Sequence, residues 1–127
     1  MPVSAGQEPI TVAVLHGGEA PPGLERHAGD ARLRFAADAG ELAAVLPGSD
    51  VLLTWDFTSD AVKDVWEATD TTALRWVHTA SAGVDRVAFP ALLASGATLT
   101  NSRGVFDRPI AEFVLGAVIA FAKDTAR

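Results

Sequence analysis

The chain has 127 residues, of which 49% are hydrophobic and 20% charged, so it has the composition of one folded domain and not of a disordered or collagen-like chain. It contains no cysteine, which excludes disulfide scaffolds, thiol nucleophiles and thiolate metal sites. Its formal net charge of −6 argues against a nucleic-acid partner, because phosphate binding is driven by Lys and Arg.

Short apolar runs in the first half of the chain alternate with helical patterns. The run Ile10–Leu15 is rich in β-branched residues and closes on a His-Gly-Gly turn, which predicts a buried strand. The further strands and helices are recognised by apolar runs, cap residues and Pro-Gly breaks. Leu33–Ala36 and Val51–Trp55 are predicted strands, and Glu41–Leu46 is a predicted helix. A second helix is predicted from a cap at Ser59 or Asp60 to about Ala68.

The second half of the chain continues this alternation. Leu74–His78 predicts a fourth strand, and Asp85 is placed to cap a short helix after it. A helix at Ala91–Ser95, a fifth strand at Thr98–Thr100 and an apolar helix at Ile110–Ala122 follow. The alternation predicts an α/β fold with a doubly wound, mainly parallel five-stranded sheet of the flavodoxin type, because crossover helices join parallel neighbours.

In such a sheet the loops after the strands gather at one edge, where ligands bind. One of these loops consists of Ser81, Ala82, Gly83 and Val84, whose small side chains let backbone N–H groups approach a carboxylate or phosphate closely. An ordinary strand-to-helix turn has the same pattern, so both interpretations stay open. Residues 71–127 hold 6 basic and 4 acidic side chains whereas residues 1–70 hold 4 and 12, so an anion should meet the second half.

Few other residues are candidates for a site. Arg103 lies in a loop at a strand end and is expected to face a cleft. Trp55 ends the third predicted strand. Its side chain either lines a cleft or packs in the core, and the sequence does not decide between these two roles. The three histidines lack metal-ligand spacing, so no metal is predicted, and the sequence has no glycine-rich phosphate or dinucleotide fingerprint.

The segment Ile110–Ala122 is apolar nearly all round, with Glu112 as its only charge. It is shorter than the roughly 20 residues that a membrane span needs, and the first residues show no leader pattern. We therefore expect a cytoplasmic protein with no membrane partner. A helix without a polar face must be covered on every side, which predicts contact with a second domain or another subunit.

Two stretches of the sequence resemble the substrate-binding part of D-isomer-specific 2-hydroxyacid dehydrogenases. They are LRWVHTASAGVDRV, from Leu74, and GATLTNSRGVFDRPIAEFVLGAVIAFAKD, from Gly96. That family has a strand, a small S/A-G-V-D loop, a strand ending in T-N-x-x-G and a helix opening with A-E, in this order and at this separation. The resemblance is close over Leu74–Asp124 and looser upstream.

The resemblance implies roles for particular residues. The loop Ser81–Val84 matches the family's loop whose backbone amides hold the substrate carboxylate, and Trp55 matches a position in the cleft wall. The helix Pro109–Lys123 matches the helix between the domains, and we expect a homodimer to form through it. The residues that match the hinge, where the chain crosses between domains, are Asn101, Arg103, Gly104 and Val105.

The resemblance also implies a domain organisation and a reaction. Residues 1–106 would be the substrate-binding domain, and residues 107–127 the interdomain helix that leads towards a nicotinamide-cofactor domain. The reaction would transfer hydride between NAD or NADP and a small 2-oxo or 2-hydroxy acid. The family's glycine fingerprint and its catalytic Arg, acidic residue and His belong to the cofactor domain, beyond these 127 residues. We therefore expect the chain to be inactive by itself.

Two other functions are alternatives. In the first alternative, the chain is a stand-alone module without catalytic activity, which binds a small acid or dimerises through its apolar helix. A phospho-receiver is suggested by Asp56, which follows the third strand. His16, Gly17 and Gly18 stand where a receiver has its acidic pair, however, and no Lys follows the fifth strand, so the receiver is discounted.

Overall fold

The computed structural model of the chain describes residues 6–125, and within them five strands alternate with four α-helices. A 3-10 helix at Leu24–His27, which the sequence did not predict, follows the first strand. The strands are β1 (Ile10–Leu15), β2 (Ala31–Ala36), β3 (Val51–Thr54), β4 (Trp76–Thr79) and β5 (Thr98–Thr100). The helices are α1 (Ala39–Val45), α2 (Ala61–Trp66), α3 (Pro90–Ala94) and α4 (Asp107–Ala122).

The five strands form one sheet in the order β2-β1-β3-β4-β5, and all four strand pairs are parallel. Val14 pairs with Phe35 on one side and with Leu53 on the other, and Leu53 pairs in turn with His78. This is the strand order of flavodoxin-like folds, in which the connections reverse direction on either side of the first strand. The predicted fold class, α/β with a parallel five-stranded sheet, is confirmed.

The core lies on one face of the sheet. Since side chains alternate between the two faces of a strand, Ala13, Leu52 and Val77 share a face, and each is fully buried. They pack in one apolar cluster with Leu42 of α1 and Leu92 of α3, together with four residues of α2. The opposite face is more open, and Trp76 on it is 45% exposed.

Local hydrogen bonds explain where α1 begins and ends. Asp38 caps the helix, because its Oδ1 accepts the backbone N–H of Glu41 at 2.9 Å, so α1 begins two residues before the predicted start. At the other end, Arg34 Nη1 donates to the carbonyl oxygens of Val45 (3.5 Å) and Pro47 (3.0 Å). A cation in this position satisfies carbonyl groups that a helix C-terminus leaves unpaired.

The predicted helix capped by Asp85 is wrong. Residues 85–87 form a turn instead, in which the carbonyl of Val84 accepts the N–H groups of Val87 (2.9 Å) and Ala88 (2.7 Å). Phe89 is extended, as the residue before a proline tends to be, and α3 begins at Pro90, which needs no N–H partner in the first turn. No helix dipole therefore points at the loop before Asp85.

The helix α4 has no buried residue along its 16 positions. Phe113 and Phe121 are 77% and 90% exposed, and five further large aliphatic side chains of the helix are more than half exposed. An ion pair between Arg108 Nε and Glu112 Oε1, at 2.6 Å, spans its first turns. As the sequence predicted, the helix is apolar around most of its circumference, and it begins at Asp107, three residues earlier than expected.

Candidate functional site

The carboxyl ends of the strands are joined by hydrogen bonds between successive loops. The N–H groups of Trp55 and Asp56, just after β3, both donate to the carbonyl of Leu15 at the end of β1, at 2.9 Å. The N–H of Ala80, after β4, donates to Thr54 at 3.0 Å, and the carbonyl of Ser81 accepts the N–H of Ser102 at 2.9 Å. Each loop thus begins at a fixed position relative to its neighbour.

We refer to Ser81, Ala82, Gly83 and Val84 as the 81–84 loop. The Ser81 hydroxyl donates to the carbonyl of Gly83 at 2.5 Å and lies 3.0 Å from Thr79 Oγ1, so the side chain ties the loop to the end of β4. Within residues 6–125, the backbone N–H groups of Ala82, Gly83 and Val84 have no acceptor. Unpaired N–H groups on an exposed loop are available as hydrogen-bond donors to an anion.

A shallow depression of about 230 Å³ lies beside this loop. Ser81 and Gly83 form one side of it, and Phe57, from the loop after β3, supplies an exposed aromatic ring. Its lining residues are Phe57, Thr58, Ser81, Gly83, Asp85 and Arg86. The depression thus has one aromatic side chain, two hydroxyl groups and charged side chains in its lining.

An ion pair borders the depression. Arg86 Nη1 donates to Asp60 Oδ2 at 2.6 Å, and about half of each side chain is exposed. The hydrogen bond to Asp60 raises the pKa of Arg86 above its ordinary value, the charge of Asp60 adds to this effect, and the charge of Asp85 contributes least. Arg86 therefore stays a cation at every physiological pH, with a carboxylate already bound to it.

The structure brings two of the predicted groups of residues together. Asn101 Nδ2 donates to the carbonyl of Ala82 at 2.7 Å, so the predicted hinge touches the predicted carboxylate loop. Gly104 has a φ of +87°, which favours glycine, at the turn before α4. Arg103 and Val105 are exposed and do not line the depression, and Trp55 is 40% exposed beside it without lining it.

Four residues that line the depression were not assigned to a site from the sequence: Phe57, Thr58, Asp85 and Arg86. The loop at 56–58 and Arg86 both lie at the predicted ligand edge, so their general location was available from the strand pattern. The partner of Arg86, Asp60, comes from a different crossover, and no local pattern marks that pairing.

The turn after β1 does not fit the pyrophosphate of a dinucleotide. Gly17 has a φ of +62°, and a Cβ placed on it would overlap the carboxylate of Asp56. A dinucleotide site needs a glycine-rich turn that leads into a helix N-terminus, whereas here a carboxylate occupies the space beside the glycine. The turn after β1 therefore does not hold the pyrophosphate of the nicotinamide cofactor that the sequence resemblance implies.

Between residues 6 and 125, no group of three or more His, Asp or Glu side chains is placed to hold a metal ion. Of the helices in that range, none is long and apolar enough to cross a membrane.

Comparison with known proteins connects this architecture to a family. The chain is similar to the crystal structure of a D-isomer specific 2-hydroxyacid dehydrogenase family protein from Aeromonas salmonicida subsp. salmonicida A449, with a TM-score of 0.65 and 21% identity. The match covers 90% of this chain but 36% of that one, and at this identity it establishes a shared fold. No curated protein matches the sequence. The sequence pattern of the D-isomer specific 2-hydroxyacid dehydrogenase catalytic domain matches residues 12–126, so the chain belongs to that family.

Proposed function

We propose that this chain is the substrate-binding part of a cytoplasmic dehydrogenase that transfers hydride between NAD or NADP and a small 2-oxo or 2-hydroxy acid. The observation that supports this best is the run of unpaired N–H groups at Ala82, Gly83 and Val84 beside the depression. These donors hold the carboxylate of the acid. The 2-oxo carbon and its substituent then lie in the depression, against Phe57.

The role of the 81–84 loop is to position the acid substrate. Its conformation is fixed before a ligand arrives, because the Ser81 hydroxyl bonds to Gly83 and the Asn101 amide bonds to Ala82. A carboxylate bound by preformed donors loses little further freedom, and its reactive carbon is held in one orientation. A helix dipole is not part of this site, because α3 begins only at Pro90.

In this proposal residues 1–106 form the substrate-binding domain and residues 107–127 connect it to a cofactor domain of the family. The cofactor supplies the hydride, and the residues of that second domain supply the acid–base group. We therefore expect the 127-residue chain, assayed by itself with glyoxylate, to oxidise neither NADH nor NADPH.

The carboxylate site is tested by titrating the isotopically labelled 127-residue chain with glyoxylate or oxamate and following its backbone amide resonances. We expect the signals of Ala82, Gly83 and Val84 to move with saturation, while hydroxyacetone, which lacks the carboxylate, leaves them in place. Signals of these three residues that do not move at saturating acid would overturn the proposal.

A matched pair of variants separates binding from folding. Ser81→Ala removes the hydroxyl that ties the loop to Gly83, so we expect it to weaken oxamate binding several-fold. Ser95→Ala is the control, because the Ser95 hydroxyl makes the same kind of bond, to the carbonyl of Leu92 at 2.7 Å, at the opposite edge of the sheet. The control should bind oxamate like the original chain.

The exposure of α4 favours a second function, dimerisation through the segment Pro109–Lys123. Phe113 and Phe121 are almost fully exposed, and a monomer seldom exposes so continuous an apolar surface. Sedimentation equilibrium tests this function: a dimer that Phe113→Glu converts to a monomer supports it. A monomer at high concentration before any substitution would exclude it. Neither result bears on the carboxylate site.

A further inference from the structure

The charges around the depression are unbalanced. Arg86 is the only cation among its six lining residues, and it is bound to Asp60 at 2.6 Å. Asp85 lines the depression too, and its Oδ2 lies within 3.8 Å of the position that a Cβ on Gly83 would take. The neighbouring carboxylate of Asp56 accepts the N–H and hydroxyl of Thr58 at 3.1 and 2.7 Å. Two of these carboxylates, those of Asp60 and Asp85, thus act on one guanidinium.

The unpaired backbone donors of the 81–84 loop offset one negative charge, that of the acid's own carboxylate. Within residues 6–125, no second cation lines the depression, and Arg103 is exposed outside it. Phe57 lines the depression and is 45% exposed overall, and its aromatic ring suits an uncharged substituent. The site is therefore complementary to an acid with one carboxylate and an apolar or neutral side chain.

We propose that Asp60 and Asp85 make this site selective for 2-oxo acids with a single carboxylate, by keeping Arg86 from binding a second one. This inference rests on the proposed function, because it assumes that the 81–84 loop holds the 2-oxo acid. A second carboxylate would have to displace Asp60 from Arg86 and leave that carboxylate unpaired beside Asp85. Specificity is often obtained by placing a charge where it repels a like charge on the unwanted ligand.

The test compares 2-oxobutyrate with 2-oxoglutarate, two 2-oxo acids that differ in whether the side chain ends in a carboxylate. Dissociation constants are measured on the 127-residue chain from the amide signals of the 81–84 loop, at low salt. We expect 2-oxobutyrate to bind at least about tenfold more tightly, the ratio that one uncompensated like-charge contact produces near a protein surface. High salt should reduce this ratio, since exposed charges are screened.

Asp60→Asn is the decisive variant. It removes the charge that occupies Arg86, while asparagine is as good an N-cap residue as aspartate, so α2 is retained. We expect the ratio of the two dissociation constants to fall several-fold. Asp64→Asn is the matched control: it removes the same charge from an exposed position of α2 that does not line the depression, and the ratio should stay at its original value.

The possible failures are distinguishable. If neither acid moves the signals of the 81–84 loop, both the proposed function and this inference are overturned. If both acids bind there with equal dissociation constants, or if Asp60→Asn leaves the ratio unchanged, the carboxylate site stands and the selectivity inference is overturned.

Discussion

Asn101, which follows β5, donates a hydrogen bond of 2.7 Å to the carbonyl of Ala82, which follows β4. The contact exists because β4 and β5 pair in parallel register, with His78 opposite Thr100, so both strands end at the same level. It joins the loop that we propose as the carboxylate site to the segment that leads into α4. We therefore expect this hydrogen bond to help hold the conformation of the 81–84 loop.

Asn101→Asp tests this expectation. The substitution keeps the shape of the side chain but replaces the donor N–H group with a carboxylate oxygen that faces the Ala82 carbonyl. We expect the loop to loosen and oxamate binding to weaken by about three- to tenfold, the range of one lost hydrogen bond. Amide signals of Ala82 and Gly83 that remain unchanged in the variant, together with unaltered oxamate affinity, would contradict it.

A set of hydrogen bonds centred on His78 also links the sheet to the segment between β5 and α4. Thr100 Oγ1 accepts the indole N–H of Trp76 at 2.7 Å and lies 2.8 Å from His78 Nδ1. The Ser102 hydroxyl donates to the carbonyl of Thr79 at 3.2 Å and lies 3.3 Å from His78 Nε2. Because the Ser102 hydroxyl proton goes to Thr79, we expect neutral His78 to carry its own proton on Nε2, so that Nδ1 accepts from Thr100.

The histidine tautomer is directly measurable. Two-bond nitrogen–proton spectra of the chain at a pH where His78 is neutral should show protonated Nε2 and unprotonated Nδ1. Ser102→Ala removes the acceptor of that proton, and we expect it to lower the free energy of unfolding by about 1 kcal/mol in urea titrations. A spectrum dominated by the Nδ1-protonated form would refute the assigned direction of these hydrogen bonds.

The sheet is the part of the structure that the sequence predicts best. Runs such as Ile10–Leu15 and Val51–Thr54 lie in the middle of a parallel sheet, and such strands are continuous apolar runs whose length is easily recognised. The Pro47-Gly48 break places the end of α1, and Pro90 the start of α3, to within one residue of the observed bounds. Local backbone preference and burial agree in these segments.

The site is less predictable because its contacts join distant parts of the chain. Ser81–Val84 is recognised from its small residues alone, but the pairing of Arg86 with Asp60 depends on how α2 packs beside the turn at 85–87. The pattern at Asp85 resembles a helix cap, and it fails because the extended conformation imposed before Pro90 delays the helix. The Arg86–Asp60 pairing emerges only from three-dimensional packing, whereas the effect of Pro90 is local to the sequence.

The Asx turn at Asp70 predicts a pH effect. The backbone N–H of Thr72, and to a lesser degree its hydroxyl, hold the pKa of Asp70 below its ordinary value. Because the folded-state pKa is lowered, the stabilising contribution is present above the unfolded pKa and is lost as the pH falls through the folded one. Thr72→Val keeps the backbone bond and removes the hydroxyl, so the pKa of Asp70 should rise part of the way.

Carbon-detected titration of the Asp70 carboxyl measures this shift, with the same carboxyl in the urea-unfolded chain as the reference. We expect the order, from the lowest pKa, to be the original folded chain, the Thr72→Val variant and the unfolded chain. If the pKa of Asp70 is the same in the Thr72→Val variant as in the original chain, the hydroxyl contributes nothing to the lowering of that pKa.

Gly17 is the glycine at which an added side chain should cost most. Its φ of +62° is unfavourable for alanine, and a Cβ would overlap the Asp56 carboxylate, so Gly17→Ala should lower the free energy of unfolding by about 1–3 kcal/mol. Gly29→Ala is the control, because that glycine has an ordinary φ and open space around it, and its stability should change little.

Strain and overlap at Gly17 are separated by a double-mutant cycle with Asp56→Ala. Removing the carboxylate relieves the overlap but not the backbone strain, so the loss caused by Gly17→Ala should shrink by about 1 kcal/mol when Asp56 is already alanine. Equal losses in both backgrounds would assign the whole effect to the backbone conformation. A coupled result would show that part of the cost of Gly17→Ala comes from overlap with the Asp56 carboxylate.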